Sequence, residues 1–272
     1  MPEWDADFNI DETFARERIE RFFAPRALRL LAEGWDNAVW LADERWVFRF
    51  PRREVAVPLI RKEIAVLGQL SLPLPTPVPR FVGEEFFGAE LLPGRELHPG
   101  VDRDALGRPL GAFLRALHAS RVDAPLPADP VRRADMAFRV PKTIEALTQL
   151  GCDVPGFLHE ARDLPPAEPV ALVHGDLHFR HVLVDGGAIS GVIDWGDVCR
   201  GDPSMDLPLY WCALSPAGRE AFLDAYGPVS EEQLLRARVL AVFLCAVLAR
   251  YGAAEGLADV EREALDGLRR AS

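Results

Sequence analysis

The run VHGDLHFRHVLVDGGAISGVIDWGD, Val173 to Asp197, sets three histidines and four aspartates between apolar flanks. Carboxylates placed among apolar strands are costly to bury without a partner or a task, which makes this run the first place to look for chemistry. VLVD and AISGVID read as short strands, and Gly186–Gly187 between them is a hairpin turn signal. A hairpin brings its ends together. It sets His181, at the start of the first strand, near Asp194, at the end of the second, with Asp176 on the loop that enters it. One carboxylate offset from a paired metal site suits phosphoryl transfer. That reaction needs a carboxylate to orient and deprotonate a hydroxyl, and ligands for the metal that bridges the phosphates. A second chemistry is open to the same residues: His174, Asp176, His178 and His181 have HxDxHxxH spacing, which suits Zn2+ or Fe2+ in a hydrolase. The plainer readings are a packing role for His178 and a hydrogen-bonded core histidine for His181.

The elements that must position this run divide the chain in two. DETFARERIERFF, Asp11–Phe23, has helical spacing, with Phe14, Ile19 and Phe22–Phe23 on its apolar side. NAVWLA and RWVFRF read as a β-hairpin around the polar turn Asp43–Glu44. REVAVPLIRKEIAVLGQL is helical, and the prolines of SLPLPTPVPR end it. RFVGEEFFGAELLPG gives two more short strands. Residues 1–92 thus form a small antiparallel sheet with an inserted helix. From residue 93 to 272 the character is helical. The segments Asp104–Ser120, MAFRVPKTIEALTQL in part, SMDLPLYWCALS, PAGREAFLDAYG, SEEQLLRARVLAVFLCAVLARYG and DVEREALDGLRRAS carry it, with the hairpin embedded among them. Ser230 followed by acids reads as an N-cap. His118 ends a helix and is explained by stabilising that end.

Composition limits the function classes. The chain has 272 residues, 49% hydrophobic, with mean hydropathy near zero, enough for a sizeable core. Its net charge is −11 and its pI about 5.1, which disfavours a nucleic-acid partner. Cys152, Cys199, Cys212 and Cys245 form no CxxC pair, as expected of a reduced, cytoplasmic protein. The N-terminus MPEWDADFNIDETF has no apolar signal region, and the apolar run VLAVFLCAVLA is too short to span a bilayer, so no membrane role is expected.

HGDLH with IDW at hairpin spacing resembles the aminoglycoside phosphotransferases and their choline-kinase-like relatives, over most of the chain. The resemblance implies an α+β, protein-kinase-like fold of two lobes, a small antiparallel-sheet N-lobe and a larger, mainly helical C-lobe. It implies Asp176 as catalytic base and Asp194 as chief metal ligand. His174 is then a loop-fixing residue, Asp206 a structural acid and Asp197 a second acid near the metal. In RWVFRFPRR, Arg49 falls where this fold puts its phosphate-contacting base, and Glu63 where it puts that residue's acidic partner. GWDNAVW, with Gly34 and Asn37, occupies the phosphate-loop position. ELLPG is the connection whose backbone near Glu90 and Leu92 binds the purine. His181 stands where the family usually has a metal-binding Asn. Mg2+ prefers oxygen ligands, but macrolide phosphotransferases resemble HGDLHxxH there, and their WVLRIPRR is similar to WVFRFPRR.

The expectation is a small-molecule kinase that moves the γ-phosphate of ATP or GTP, with Mg2+, to a hydroxyl acceptor, as a monomer or homodimer. A cationic aminoglycoside fits the acid excess. A macrolide fits His181 and the apolar helical lobe, and a cellular metabolite fits as well, with antibiotic resistance as the consequence in the first two cases. The rivals are the metal hydrolase and a nucleotide-binding pseudokinase.

Overall fold

The Asp11 carboxylate accepts a hydrogen bond from the Phe14 amide at 2.8 Å and so starts α1, Glu12–Ile19. In the computed structural model, which describes residues 6–34 and 36–272, α1 stops short of Phe22 and Phe23. The acidic residues before Ala6, and Trp35 of the expected phosphate loop, lie outside the described residues. The strands that follow are β1 (Leu28–Glu33), β2 (Asn37–Ala42) and β3 (Trp46–Pro51). β2 and β3 pair antiparallel from Asn37↔Pro51 to Ala42↔Trp46, and the turn holds Asp43 and Glu44 at positive φ. β1 was not expected. Its leucines Leu30 and Leu31 face solvent, so it lacks the alternation that marks a half-buried strand.

A 3-10 turn at Glu54–Ala56 leads into α2, Val57–Leu67, with Pro58 in the first turn, where no amide is needed. β4 (Phe81–Val82) and β5 (Phe87–Glu90) complete a five-stranded antiparallel sheet in the order β1-β2-β3-β5-β4. Its buried face carries Trp40, Phe48, Phe50 and Phe86 over Ile10 and Ile19. Phe50 and Phe86 stack at 4.7 Å between ring centres.

The remaining elements are β6 (Arg95–Glu96), α3 (Gly107–Ala119), α4 (Met136–Gln149), α5 (Phe157–Ala161), β7 (Ala171–Val173), β8 (Val182–Asp185), β9 (Ala188–Val192), β10 (Cys199–Gly201), α6 (Pro208–Cys212), α7 (Pro216–Tyr226), α8 (Glu231–Ala254) and α9 (Ala258–Ala271). β6, β8 and β9 form one small sheet, and β10 pairs with β7 in another. α4 runs through Pro141 without breaking, so the segment expected to be helical in part is helical throughout. Ser230 and Gln233 close a capping box at the head of α8. By length and composition alone α8 could cross a membrane, but more than half of its apolar stretch is buried here, against α9, α4 and α6. It is a core helix.

The chain divides into two compact units. One runs to Ser71 and includes Thr76–Leu92 and Val122–Ala124; the other holds Leu72–Pro75, Pro93–Arg121 and Pro125–Ser272. Hydrogen bonds explain the exchanged pieces. Gln69 binds the backbone of Asp123 in both directions, and the Val192 amide, at the end of β9, donates to Pro75 O at 2.9 Å.

α3 and α7 approach so closely that a Cβ on Gly107 would lie 2.0 Å from the carbonyl oxygen of Gly218. Gly107→Ala is therefore expected to cost about 1–3 kcal/mol through backbone overpacking. Gly156→Ala, in open space, should leave the melting temperature unchanged. Equal thermal unfolding curves for the two variants would contradict this packing.

Candidate active site

A turn between β8 and β9 builds the site. Gly186 and Gly187 both adopt positive φ, as a two-residue hairpin turn requires. Val182 then pairs with Val192, and the Ile193 amide donates to His181 O at 3.0 Å. The hairpin ends meet as expected: His181 Nε2 lies 3.4 Å from Asp194 Oδ2. Asp194 has φ of 65°, a conformation a short polar residue tolerates but a bulky one does not, and its side chain is 44% exposed. The next residue, Trp195, is fully buried. It donates from Nε1 to Val192 O and packs on the His174 ring at 4.8 Å. The tryptophan of IDW is thus the anchor that lets Asp194 stand out.

The preceding loop is fixed from beneath. Buried Asp206 accepts from the amides of His174 (2.7 Å) and Gly175 (2.9 Å). It also accepts from His118 Nε2 at 3.1 Å, while the Tyr226 hydroxyl bonds His118 Nδ1. His118 is therefore more than a helix-end cation. Gly175 is required here: its φ is 86°, and a Cβ would meet Asp197 O at 2.4 Å.

The histidines divide by their partners. His174 donates from Nε2 to Ile193 O and accepts at Nδ1 from the Asp176 amide. With both nitrogens used it has none for a metal, so a hydrolase set that includes His174 does not form. His178 accepts at Nδ1 from the Arg180 amide, starting the 3-10 turn Phe179–His181, and its Nε2 is 3.7 Å from Asp176 Oδ2. His181 donates from Nδ1 to Asp176 O at 2.8 Å. That bond leaves the Nε2 lone pair facing Asp194, the arrangement that orients an imidazole for a metal. Burial, reinforced by His181, holds the His178 pKa well below its ordinary value, and burial lowers that of His174.

Asp176, His178 and His181 bring ligand atoms within 4.8 Å of one another. The carboxylate of Asp194, exposed beside them, leaves room for water and phosphate oxygens. A divalent ion such as Mg2+ would be held there by the Asp194 carboxylate, with His181 Nε2 available as a further ligand.

Arg133, which the sequence reading missed, joins the two other carboxylates. Its Nη2 lies 3.2 Å from Asp176 Oδ1 and 2.9 Å from Asp197 Oδ2. Asp197 is thus an arginine partner. Burial pushes the Asp176 carboxyl upward, but His178, Arg133 and His181 outweigh it and hold it below the ordinary range. Of these neighbours Arg133 is the one whose positive charge is permanent. The arginine comes from a loop that the Ala128↔Arg200 bridge lays beside β10.

In the other unit, Arg49 on β3 pairs with Glu63 of α2 at 3.2 Å, and Glu63 is fully buried. Arg49 sits on β3, the central strand of the five-stranded sheet. With its amide oxygen turned to the guanidinium, Asn37 accepts from Arg49 Nη2 at 3.1 Å. Gly34 closes the turn by donating to Asn37 O. Glu90 ends β5 and pairs with Arg45; Leu92 follows in the same unit.

Residues 27–240 match the model of the phosphotransferase enzyme family, APH. The chain belongs to that family. It is similar to the homoserine kinase of Pseudomonas aeruginosa, 29% identical over 245 residues, which cover 78% of this chain and 76% of the relative. Among solved structures it is similar to macrolide 2'-phosphotransferase type I, with a TM-score of 0.66, 22% identity and coverage of 98% of this chain and 99% of that one. It is also similar to the GDP complex of wild-type aminoglycoside 2'-phosphotransferase-IIIa, with a TM-score of 0.64, 19% identity and coverage of 95% and 97%. At these identities the likeness to solved structures is one of fold, and the fold is the expected kinase-like α+β arrangement.

Asp206→Ala leaves two buried amides without an acceptor. It is expected to lower stability by about 3–5 kcal/mol, read by urea unfolding. A stability change below about 1 kcal/mol would remove Asp206 from its supporting role.

Proposed function

We propose that the protein is a small-molecule kinase that transfers the γ-phosphate of ATP or GTP to an acceptor hydroxyl. The observation that carries this reading is the Asp176 carboxylate, ionised and aimed by its neighbours, beside the His181–Asp194 pair at 3.4 Å. Asp176 accepts the hydroxyl proton as the acceptor oxygen bonds to the γ-phosphorus. The bond from that phosphorus to the β–γ bridging oxygen breaks, and its electron pair leaves with the nucleoside diphosphate. Catalysis in such a site is mainly positioning and electrostatics. Asp194, with His181 beside it, would hold a divalent ion, which when bound neutralises phosphate charge. Arg49, steadied by Glu63, is a guanidinium suited to phosphate oxygens. The kinase relatives support this reading, and hydroxyl-bearing antibiotics or metabolites are its candidate acceptors.

The test is a thermal-shift screen of the purified protein with ATP and GTP, each with Mg2+. A ligand that binds only the folded state raises its melting temperature. A shift with neither nucleotide would end the kinase reading. Asp176→Asn is expected to keep nucleotide affinity while turnover falls about a hundred- to ten-thousand-fold; comparable turnover would mean another group takes the proton. Asp194→Ala is expected to weaken Mg-nucleotide binding about tenfold or more, and an unchanged titration would count against its role as ligand.

A further inference from the structure

The strongest unexplained feature beside the site is a buried cation. Arg139, on α4, is only 7% exposed, and its Nε is buried with no hydrogen-bond partner among the described residues. Its neighbours are ring faces: Phe243 of α8 at 4.4 Å and Phe138 at 5.8 Å. The acids within its electrostatic reach are Asp129 and Asp176. Asp129 is already committed, with its oxygens accepting the amides of Arg133 and Ala134. Arg133 adds a second open donor, since its Nη1 is also buried and without a partner among the described residues. Two guanidinium groups that each keep an unused, dehydrated N–H are costly in a folded chain unless an anion completes them.

The location sets what that anion is. The two oxygens of Asp176 face different surroundings. Oδ2 looks toward His178 and His181, and so toward Asp194, while Oδ1 meets Arg133. The metal and the nucleotide phosphates belong with Asp194, on the Oδ2 side. An anion on the Oδ1 side, near the base, is then part of the acceptor. The surrounding chain agrees. Within a protein of net charge −11, residues 132–142 hold Arg132, Arg133, Arg139 and Lys142 against Asp135 alone. Arg132 and Lys142 also lie over Phe138, at 4.6 and 4.5 Å.

We propose that the acceptor is a small hydroxy acid, its carboxylate docked on Arg139 and Arg133 while its hydroxyl meets Asp176. A guanidinium fork matches a carboxylate edge to edge. The same cations repel a polycationic acceptor. The inference rests on the kinase reading, with the same transfer: the hydroxyl proton goes to Asp176, the phosphoryl group to the hydroxyl oxygen, and the diphosphate leaves.

The experiment measures thermal shifts of the full-length protein with Mg2+ and a non-hydrolysable nucleotide. It then adds L-homoserine, L-serine, 3-aminopropan-1-ol (homoserine without its carboxylate) or kanamycin. A further shift is expected with one of the hydroxy acids and none with the amino alcohol or kanamycin. That acid should be turned over with kcat/KM about a hundredfold or more above the amino alcohol, because buried donors built for a polar group discriminate strongly against its absence. Arg139→Met is expected to abolish the acid-dependent shift and Arg139→Lys to retain part of it. Removing an unpaired buried charge should also leave the ligand-free Arg139→Met protein as stable as the parent or more so, whereas a merely structural arginine would lower its melting temperature. A nucleotide shift with no acid-specific shift, or one that survives Arg139→Met, overturns this inference and leaves the kinase reading standing. Absence of the nucleotide shift itself fells the kinase reading, and this inference with it.

Discussion

The site depends on one buried carboxylate. Asp206 receives two successive amides of the loop that carries Asp176, and the imidazole of His118 from α3. A buried acid costs several kcal/mol in desolvation unless charge-assisted donors surround it, so the loop cannot leave Asp206 without exposing both sides of the bargain. The Tyr226 hydroxyl extends the arrangement to α7. Loop, α3 and α7 are therefore held in one register by one side chain. The tight contact of Gly107 with Gly218 serves the same end, because it sets the separation of the two helices that present His118 and Tyr226.

Above that support the electrostatics are lopsided. Burial lowers the pKa of both His174 and His178, and their hydrogen bonds fix which nitrogen is free to act. Each nitrogen facing the backbone fixes what the other can do. His174 is locked on both sides, His178 offers an N–H toward Asp176, and His181 offers a lone pair toward Asp194. The permanent cation is Arg133, on the opposite oxygen of the base. Asp176 thus has imidazole rings on its Oδ2 side and a guanidinium on its Oδ1 side.

Much of this was legible in the sequence because it is local. Strand alternation and a Gly-Gly turn force the ends of one hairpin together, so the closeness of His181 and Asp194 followed from the pattern of the fourteen residues that run from one to the other. The Arg49–Glu63 pair came from family resemblance, and the structure puts the two in contact. Arg133 carried no such signal. It is 43 residues from Asp176 along the chain, and it arrives there through a single β-bridge and the Asp129 backbone bonds, neither of which has a composition or a period. β1 escaped for a different reason: its register against β2 shifts between Leu30 and Ala32, and its exposed leucines hide the alternation that would reveal it. Trp195 was visible as part of a motif, yet its work as the anchor beneath His174 depends on packing that only the folded chain supplies.

The charge of the whole chain says little about recognition at the site. An excess of acids suggests affinity for cations, and over distances well beyond a Debye length of about 10 Å that inference is weak in any case. Recognition happens within hydrogen-bond reach. There, the acids nearest the base are already bonded: Asp197 to Arg133, and Asp129 to two backbone amides. What remains uncommitted on that side is positive and dehydrated. The proposed carboxylate dock is therefore compatible with a net charge of −11, since surface acids bear on solubility while recognition is set within hydrogen-bond reach.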